Sequence, residues 1–339
     1  MKKLKVKMFV TQPIEASALK KLVSCLQVEV HPDATKTIGK EALIHGVRDK
    51  DYLFCRLGDQ IDADVIQANT NLKLIATMAT GSGGIDVRTA TKFKIPVIGR
   101  DISKQKEGYS GIVEETADLT WALLMAVARR ILEGDRLVRS GVFPGPHSMY
   151  LLGSGVYGKR IGIVGMGKVG RAVARRAHAF GMGIFYYSRR RHQDVEEIFA
   201  AAYLPFEELL QTVDYVCMLP QYSAETHHMI GERQLSLMRP TAFLINTSRG
   251  PVVDQEALVK ALRTRKIAGA ALDVFEGEPH PVLPNELIAM PNVVLTPHLG
   301  SAVAEKREIM VNEIVDEIIA FSRGKAPSHP FNPEVLERE

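Results

Sequence analysis

Apolar residues in the N-terminal third of the chain gather into short consecutive runs: KVKMFVT (5–11), VEVHP (28–32), YLFCRL (52–57), LKLIATMA (72–79) and IPVIG (95–99). Between them lie stretches with helical spacing, such as 15–23, 40–47 and 63–68. Runs that are apolar at consecutive rather than alternate positions predict parallel strands buried on both faces. The pattern restarts at Arg160 with RIGIVG (160–165), GIFYYS (183–188), DYVCMLP (214–220), TAFLINTS (241–248), AGAALDV (268–274) and NVVLTPH (292–298). Helical patterns separate these runs too, clearest at 168–180 and 254–263. Two successive β/α series predict an α/β chain of two doubly wound parallel-sheet domains with a cleft between them.

Between the series, 114–137 is strongly apolar and reads as one long helix, serving either the core or a dimer contact. Segment 141–159, rich in Gly and Pro, reads as a connecting loop, and 303–321 as a helix stopped by Gly324. Composition narrows the class. The chain has 339 residues, 46% hydrophobic and 24% charged, with a formal net charge of +4, values of an ordinary globular protein. The charge is too small and too dispersed for nucleic acid, since no basic stripe occurs outside Arg189–Arg191. Cys25, Cys55 and Cys217 are far apart and read as thiols in a reducing cytoplasm, not as disulfides or metal ligands. The opening MKKLKVKMFVTQP lacks the apolar segment of roughly 7–15 residues that a secretory leader needs. No membrane-spanning run is expected either.

Gly165-x-Gly167-x-x-Gly170 directly follows the strand-like RIGIV and opens a helix-like run. A strand before the triplet, a helix after it and a second strand at the proper distance mark a dinucleotide site rather than an ordinary turn. Gly165 permits the tight turn, Gly167 lets the backbone approach a pyrophosphate, and Gly170 lets helix and strand pack closely. Lys168 and Val169 lie in the first helical turn, where N–H groups and the helix dipole favour phosphate. An NAD-binding chain places an acidic residue at the end of the next strand, where it accepts from the ribose hydroxyls. Here that strand ends in Ser188-Arg189-Arg190-Arg191. A hydroxyl beside guanidinium forks suits the 2′-phosphate of NADP, with NAD as the alternative cofactor if the arginines form only a solvated turn.

Three later motifs each follow a strand-like run: LINTSRGPVVD (244–254), ALDVFEGEP (271–279) and LTPHLGS (295–301). Each puts one reactive side chain past a strand end, Arg249, Glu278 and His298, where such folds collect ligands. With VYGKRIGIVGMGKVG and YYSRRR, these motifs make the chain resemble the D-isomer-specific 2-hydroxyacid dehydrogenase family over nearly its full length. The resemblance is strongest to the NADP-preferring glyoxylate/hydroxypyruvate reductase branch.

The resemblance implies two Rossmann-like or flavodoxin-like domains, a substrate domain of 1–104 plus 305–339 and a dinucleotide-binding domain of 105–304. It implies a catalytic set of Arg249, Glu278 and His298, with Glu278 rather than Glu276 as the match. Asp273 falls where relatives hold the nicotinamide carboxamide, and Leu219, Pro220, Thr247, Thr116 and Gly300 fall on cofactor-lining positions. The chemistry suits the residue types. Reduction of a 2-keto acid takes a hydride from nicotinamide and a proton for the carbonyl oxygen, which an imidazole supplies near neutral pH. A neighbouring carboxylate orients that ring, and an arginine fork binds the substrate carboxylate. The substrate loop of the first domain falls on Thr80, Gly81 and Ser82, within a sequence roomier than the family's usual one. A sugar-derived 2-keto acid therefore stands beside glyoxylate and hydroxypyruvate as a substrate. Segment 100–112, with Lys104, Lys106 and Tyr109, also departs from the family and reads either as a cleft element or as a solvated loop. The family is commonly dimeric, with 117–131 a natural contact.

Two alternatives stay open on the same scaffold. One is oxidation of phosphite or formate, which related sequences perform. The other is a nucleotide-sensing corepressor like the C-terminal-binding proteins.

Overall fold

A computed structural model describes residues 5–56, 58–79, 82, 84–100, 112–146, 149–328 and 330–336. Twelve strands are described: β1 (Lys7–Val10), β2 (Gln27–Val30), β3 (Tyr52–Cys55), β4 (Leu74–Thr77), β5 (Val97–Ile98), β6 (Arg160–Val164), β7 (Gly183–Tyr187), β8 (Ala202–Tyr203), β9 (Tyr215–Met218), β10 (Phe243–Asn246), β11 (Gly269–Leu272) and β12 (Val293–Leu295). The helices are α1 (Ala16–Cys25), α2 (Lys40–Val47), α3 (Ala63–Gln67), α4 (Val87–Lys92), α5 (Val113–Ala128), α6 (Ile131–Arg139), α7 (Lys168–Ala179), α8 (Gln193–Phe199), α9 (Phe206–Thr212), α10 (Glu232–Leu237), α11 (Gln255–Arg263), α12 (Asn285–Ala289) and α13 (Ala304–Ser322). The chain divides into two units, Met1–Gly111 with Val303–Glu339, and Ile112–Ala302.

Unit one holds a parallel sheet in the order β2-β1-β3-β4-β5. β3 and β4 are buried at every position, whereas the edge strand β2 alternates exposed and half-buried residues. Alternate side chains feed two cores. Met8, Val10, Phe54, Leu74 and Ala76 pack under α1 and α13, and Phe9, Leu53, Cys55, Ile75 and Val97 under α2 to α4. Asp62 and Asp86 start α3 and α4 by accepting N–H groups of the first turn. The C-terminal segment returns to β5. Phe331 N–H donates to the Val97 carbonyl at 2.8 Å, and buried Asn332 bonds Val97 and Ile95.

Unit two holds a seven-stranded parallel sheet in the order β12-β11-β10-β9-β6-β7-β8, with a core on each face. Both parallel sheets follow from the consecutive apolar runs. The single helix expected over 114–137 is instead two. α5 ends at Ala128, Arg130 takes a left-handed φ of 53°, and α6 begins at Ile131. Neighbours fix the break. The Ala128 carbonyl accepts the Ser154 N–H at 2.7 Å, and the Arg130 guanidinium grips Glu133 at 2.7 Å. α5 spends its apolar residues, including Ala117, Trp121, Leu124 and Val127, on the unit's own core. Among the described residues no helix is long and apolar enough to cross a membrane.

Candidate active site

β10, β11 and β12 lie side by side, with Asn246 opposite Leu272 and Leu272 opposite Leu295. At the end of β10, buried Asn246 folds the next residues back. Its Oδ1 accepts from Ser248 N–H at 3.1 Å and Ser248 Oγ at 2.8 Å, and its Nδ2 donates to the Arg249 carbonyl at 3.0 Å. Arg249 emerges exposed, with Nη1 donating to the Ser248 carbonyl at 2.6 Å. Gly250 then packs so closely on the next loop that a Cβ would collide with the Phe275 carbonyl. That contact lays the Arg249 turn against the loop carrying Glu278.

Glu278 and His298 meet directly. His298 Nδ1 lies 2.6 Å from Glu278 Oε2, and Glu278 Oε1 accepts the Phe275 N–H at 2.8 Å. His298 sits at a φ of 54°, a left-handed conformation that costs about 1–3 kcal/mol outside glycine and is held by its surroundings. Those surroundings centre on buried Asp273. Its carbonyl accepts the His298 N–H at 2.8 Å. Its carboxylate accepts from Thr296 Oγ1 at 2.6 Å, Leu299 N–H at 2.7 Å and Gly300 N–H at 2.9 Å. His298 Nε2 has no hydrogen-bond partner among the described residues, so one imidazole nitrogen is fixed by a carboxylate and the other is free to exchange a proton. The Arg249 guanidinium bonds neither member of this pair; the structure places it on the neighbouring loop.

A second imidazole–carboxylate pair occupies the same strand ends. His228 Nε2 lies 2.6 Å from Glu276 Oε1, and the His227 ring stacks on His228 with centroids 4.0 Å apart. Sequence reasoning missed this pair, because nothing local in either segment announces a partner that only the fold supplies.

The glycine turn follows β6. Gly165 has a φ of 99°, and a Cβ there would press on the Leu219–Pro220 backbone at 2.7–2.8 Å. A Cβ on Gly170 would strike the Gly165 carbonyl oxygen, while the space beside Gly167 is open. α7 therefore starts against the turn, with Lys168 exposed, no acidic residue in its first turn and no side-chain cap. This cradle fits a pyrophosphate at the helix N-terminus. At the end of β7, Ser188 Oγ donates to the Arg190 carbonyl at 2.5 Å. Arg189 and Arg190 are exposed, whereas Arg191 is held by Glu196 at 2.7 Å. The carboxyl of exposed Glu225 lies below the usual range chiefly through the Ser223 hydroxyl, with the charge of Arg189 adding a little. Thr116 and Thr247 are buried with their hydroxyls engaged, Thr116 on the Ile112 and Gly300 carbonyls and Thr247 on Thr120. In unit one, Thr80 and Gly81 lie outside the described residues, as do Lys104, Lys106 and Tyr109. Ser82 is half-buried, its carbonyl accepting the Ile85 N–H at 3.1 Å.

Comparison with known proteins bears on this geometry. Residues 121–300 match the sequence family described as D-isomer specific 2-hydroxyacid dehydrogenase, NAD binding domain. The chain is 44% identical over 338 residues to a glyoxylate reductase of Thermococcus onnurineus, covering 98% of both chains. Among solved structures, the TT0316 protein of Thermus thermophilus shares 38% identity at a TM-score of 0.80, covering 96% of this chain and 100% of that one. An NADPH-dependent glyoxylate/hydroxypyruvate reductase of Sinorhizobium meliloti, in complex with NADP and malonate, shares 29% identity at a TM-score of 0.67, covering 99% of each chain. With the nucleotide turn and the imidazole–carboxylate pair at adjoining strand ends, these matches place the chain in the D-isomer-specific 2-hydroxyacid dehydrogenase family.

Proposed function

We propose that this protein reduces a small 2-keto acid, such as glyoxylate, hydroxypyruvate or a sugar-derived 2-keto acid, to the D-2-hydroxy acid with NADPH. The observation that carries the reading is the 2.6 Å contact between His298 and Glu278, with His298 Nε2 left free. His298 gives its proton to the substrate carbonyl oxygen, and Glu278 keeps the ring in place. Arg249 binds the substrate carboxylate and offsets charge growing on the carbonyl oxygen. The resemblance to the family puts Thr80, Gly81 and Ser82 among the substrate-binding positions.

Bound at the glycine turn, the nicotinamide nucleotide supplies the hydride. Gly165, Gly167, Lys168, Val169 and Gly170 would hold its phosphates, and Leu219, Pro220, Thr116, Thr247, Asp273 and Gly300 line its path. The choice of NADP over NAD rests on Ser188, Arg189 and Arg190, since each charged hydrogen bond to a 2′-phosphate contributes about 1.5–3 kcal/mol. The protein works as a homodimer, and the three unpaired cysteines support a reducing cytoplasm.

The test is steady-state oxidation of NADPH and of NADH with glyoxylate, hydroxypyruvate, pyruvate and 2-ketogluconate. Turnover with at least one keto acid, at a kcat/KM at least tenfold higher with NADPH, is expected. Equal use of the two cofactors removes the 2′-phosphate assignment, and no turnover with any keto acid removes the reaction itself.

A further inference from the structure

Three arginines stand in succession after β7, and the fold holds one of them differently from the other two. Arg189 and Arg190 are exposed and, among the described residues, have no ion-pair partner. Arg191 is gripped as a fork. Its Nε and Nη2 donate to the two carboxylate oxygens of Glu196 at 3.1 and 2.7 Å, and its Cζ lies 6.0 Å from the centre of the Tyr203 ring. A guanidinium bound in this way is already committed.

Glu196 is in turn anchored from the core. Tyr186, fully buried on β7, reaches the turn with its hydroxyl, which donates to Glu196 Oε1 at 2.6 Å and accepts the His192 N–H at 2.7 Å. Arg191 first, then Tyr186, hold the Glu196 carboxyl below its usual range, so it is a carboxylate at neutral pH. Val195 seats α8, which carries Glu196, in the same core as Tyr186. His192 Nδ1 accepts from Arg171 Nη2 at 3.0 Å, and Arg171, a residue of α7, also pairs with Asp194.

The near end of the turn is tied as well. Ser188 Oγ donates to the Arg190 carbonyl at 2.5 Å, and the Tyr187 carbonyl accepts the Gly165 N–H at 2.8 Å. The backbone of 188–192 is therefore fixed at both ends, beside the glycine turn.

Two consequences follow, one electrostatic and one entropic. Adjacent cations repel, and Glu196 offsets the third, leaving two guanidinium groups unbalanced. A backbone fixed in advance also leaves less to be ordered when an anion arrives. Both effects weigh most on a 2′-phosphate, whose partners would be those two groups, and least on a bare ribose hydroxyl.

We propose that Tyr186 and Glu196 are positioning residues for cofactor choice: they fix the 188–192 turn and hold Arg191 aside, so that Arg189 and Arg190 meet the 2′-phosphate. The inference rests on the NADP reading and deepens it.

The experiment is titration calorimetry of the wild type, Tyr186→Phe, Glu196→Ala and Glu196→Gln with adenosine 2′,5′-bisphosphate and with 5′-AMP. Wild type should bind the bisphosphate at least tenfold more tightly than AMP. Tyr186→Phe and Glu196→Ala should each weaken bisphosphate binding at least fivefold and change AMP binding less than twofold. Glu196→Gln keeps an acceptor for the tyrosine hydroxyl and should fall between. The sign is informative for Glu196→Ala, because loss of a negative charge by itself would tighten the binding of an anion. If wild type favours the bisphosphate and Tyr186→Phe and Glu196→Ala keep or increase its preference over AMP, the inference is wrong and the NADP reading stands. If both ligands weaken together, the network serves the fold and not the choice of cofactor, and the inference is equally wrong. If wild type binds the two ligands alike, the NADP reading falls and the inference falls with it.

Discussion

In the proposed reaction His298 carries the heaviest load of any single side chain, and it stands in a backbone conformation that most residues avoid. The cost is met by Asp273, which grips the loop on both sides of the ring. Replacing His298 by Asn keeps a side chain tolerated at positive φ and removes the titratable nitrogen. We expect kcat to fall by about 10²–10⁴, while the dissociation constant for NADPH, followed by fluorescence, changes less than twofold. A variant that retains most of its turnover would end the role of this imidazole as the acid. The motif around each reactive residue makes Arg249, Glu278 and His298 legible in the sequence, because each stands next to a strand whose apolar run is unmistakable. The service of Asp273 as a brace is legible only in three dimensions: its partners Thr296, Leu299 and Gly300 belong to a different loop. The same holds for His228 with Glu276. Pairings of this kind are set by the fold, and local spacing leaves no trace of them.

At the scale of elements, strands are the easier reading. A run such as YVCM, buried at every position, can serve only the interior of a parallel sheet. β8, two residues long, has no such run and escapes notice. The 114–137 segment shows the opposite failure. Its helical periodicity continues across Arg129 and Arg130, and the approach of Gly153–Ser154 to the Ala128 carbonyl, with the Arg130–Glu133 pair, turns one helix into two. α5 is joined to α7 by charge as well as by packing. Glu114 binds Arg175 at 2.6 Å and Arg176 at 3.0 Å, and Asp118 also pairs with Arg176. Burial pushes the Glu114 carboxyl up, but the two guanidinium groups outweigh it and hold the pKa below its usual value. A carboxyl depressed in the folded state stabilises fully above its unfolded pKa of about 4.3, and that contribution is lost as pH falls through the folded pKa. Glu114→Gln should therefore cost about 0.5–1 kcal/mol at pH 7, after solvent screening of a partly exposed group. In urea unfolding the gap from wild type should shrink steadily below pH 4. A gap that is the same at pH 3.5 and pH 7 would show that the loss comes from packing alone.

On the scale of the whole molecule, unit two presents an apolar surface that its own core does not use. α6 contributes Ile131 and Val138, and the segment after it contributes Phe143, Met149, Leu152 and Tyr157, the last 85% exposed. Scattered exposed apolar residues are ordinary; these, grouped on one helix and the segment that follows it, are the ones we assign to the proposed homodimer. A second copy of the chain is the partner that fits the proposed homodimer. A twofold contact presents the same patch from both sides, so each buried side chain counts twice. For the proposed homodimer we place the contact on α6 and the segment beyond it, because α5 in the expected 117–131 contact buries Ala117, Trp121, Leu124 and Val127 inside the unit. At about 1.5–3 kcal/mol for each large apolar side chain removed from water, a few such residues outweigh much of the cost of association. Sedimentation at micromolar concentration should give the mass of two chains for the wild type. Phe143→Asp combined with Met149→Asp places charges where the copies would meet and should give the mass of one chain, with an unchanged circular dichroism spectrum. A wild type that sediments as one chain overturns the homodimer, and a double variant that still pairs moves the contact to another face.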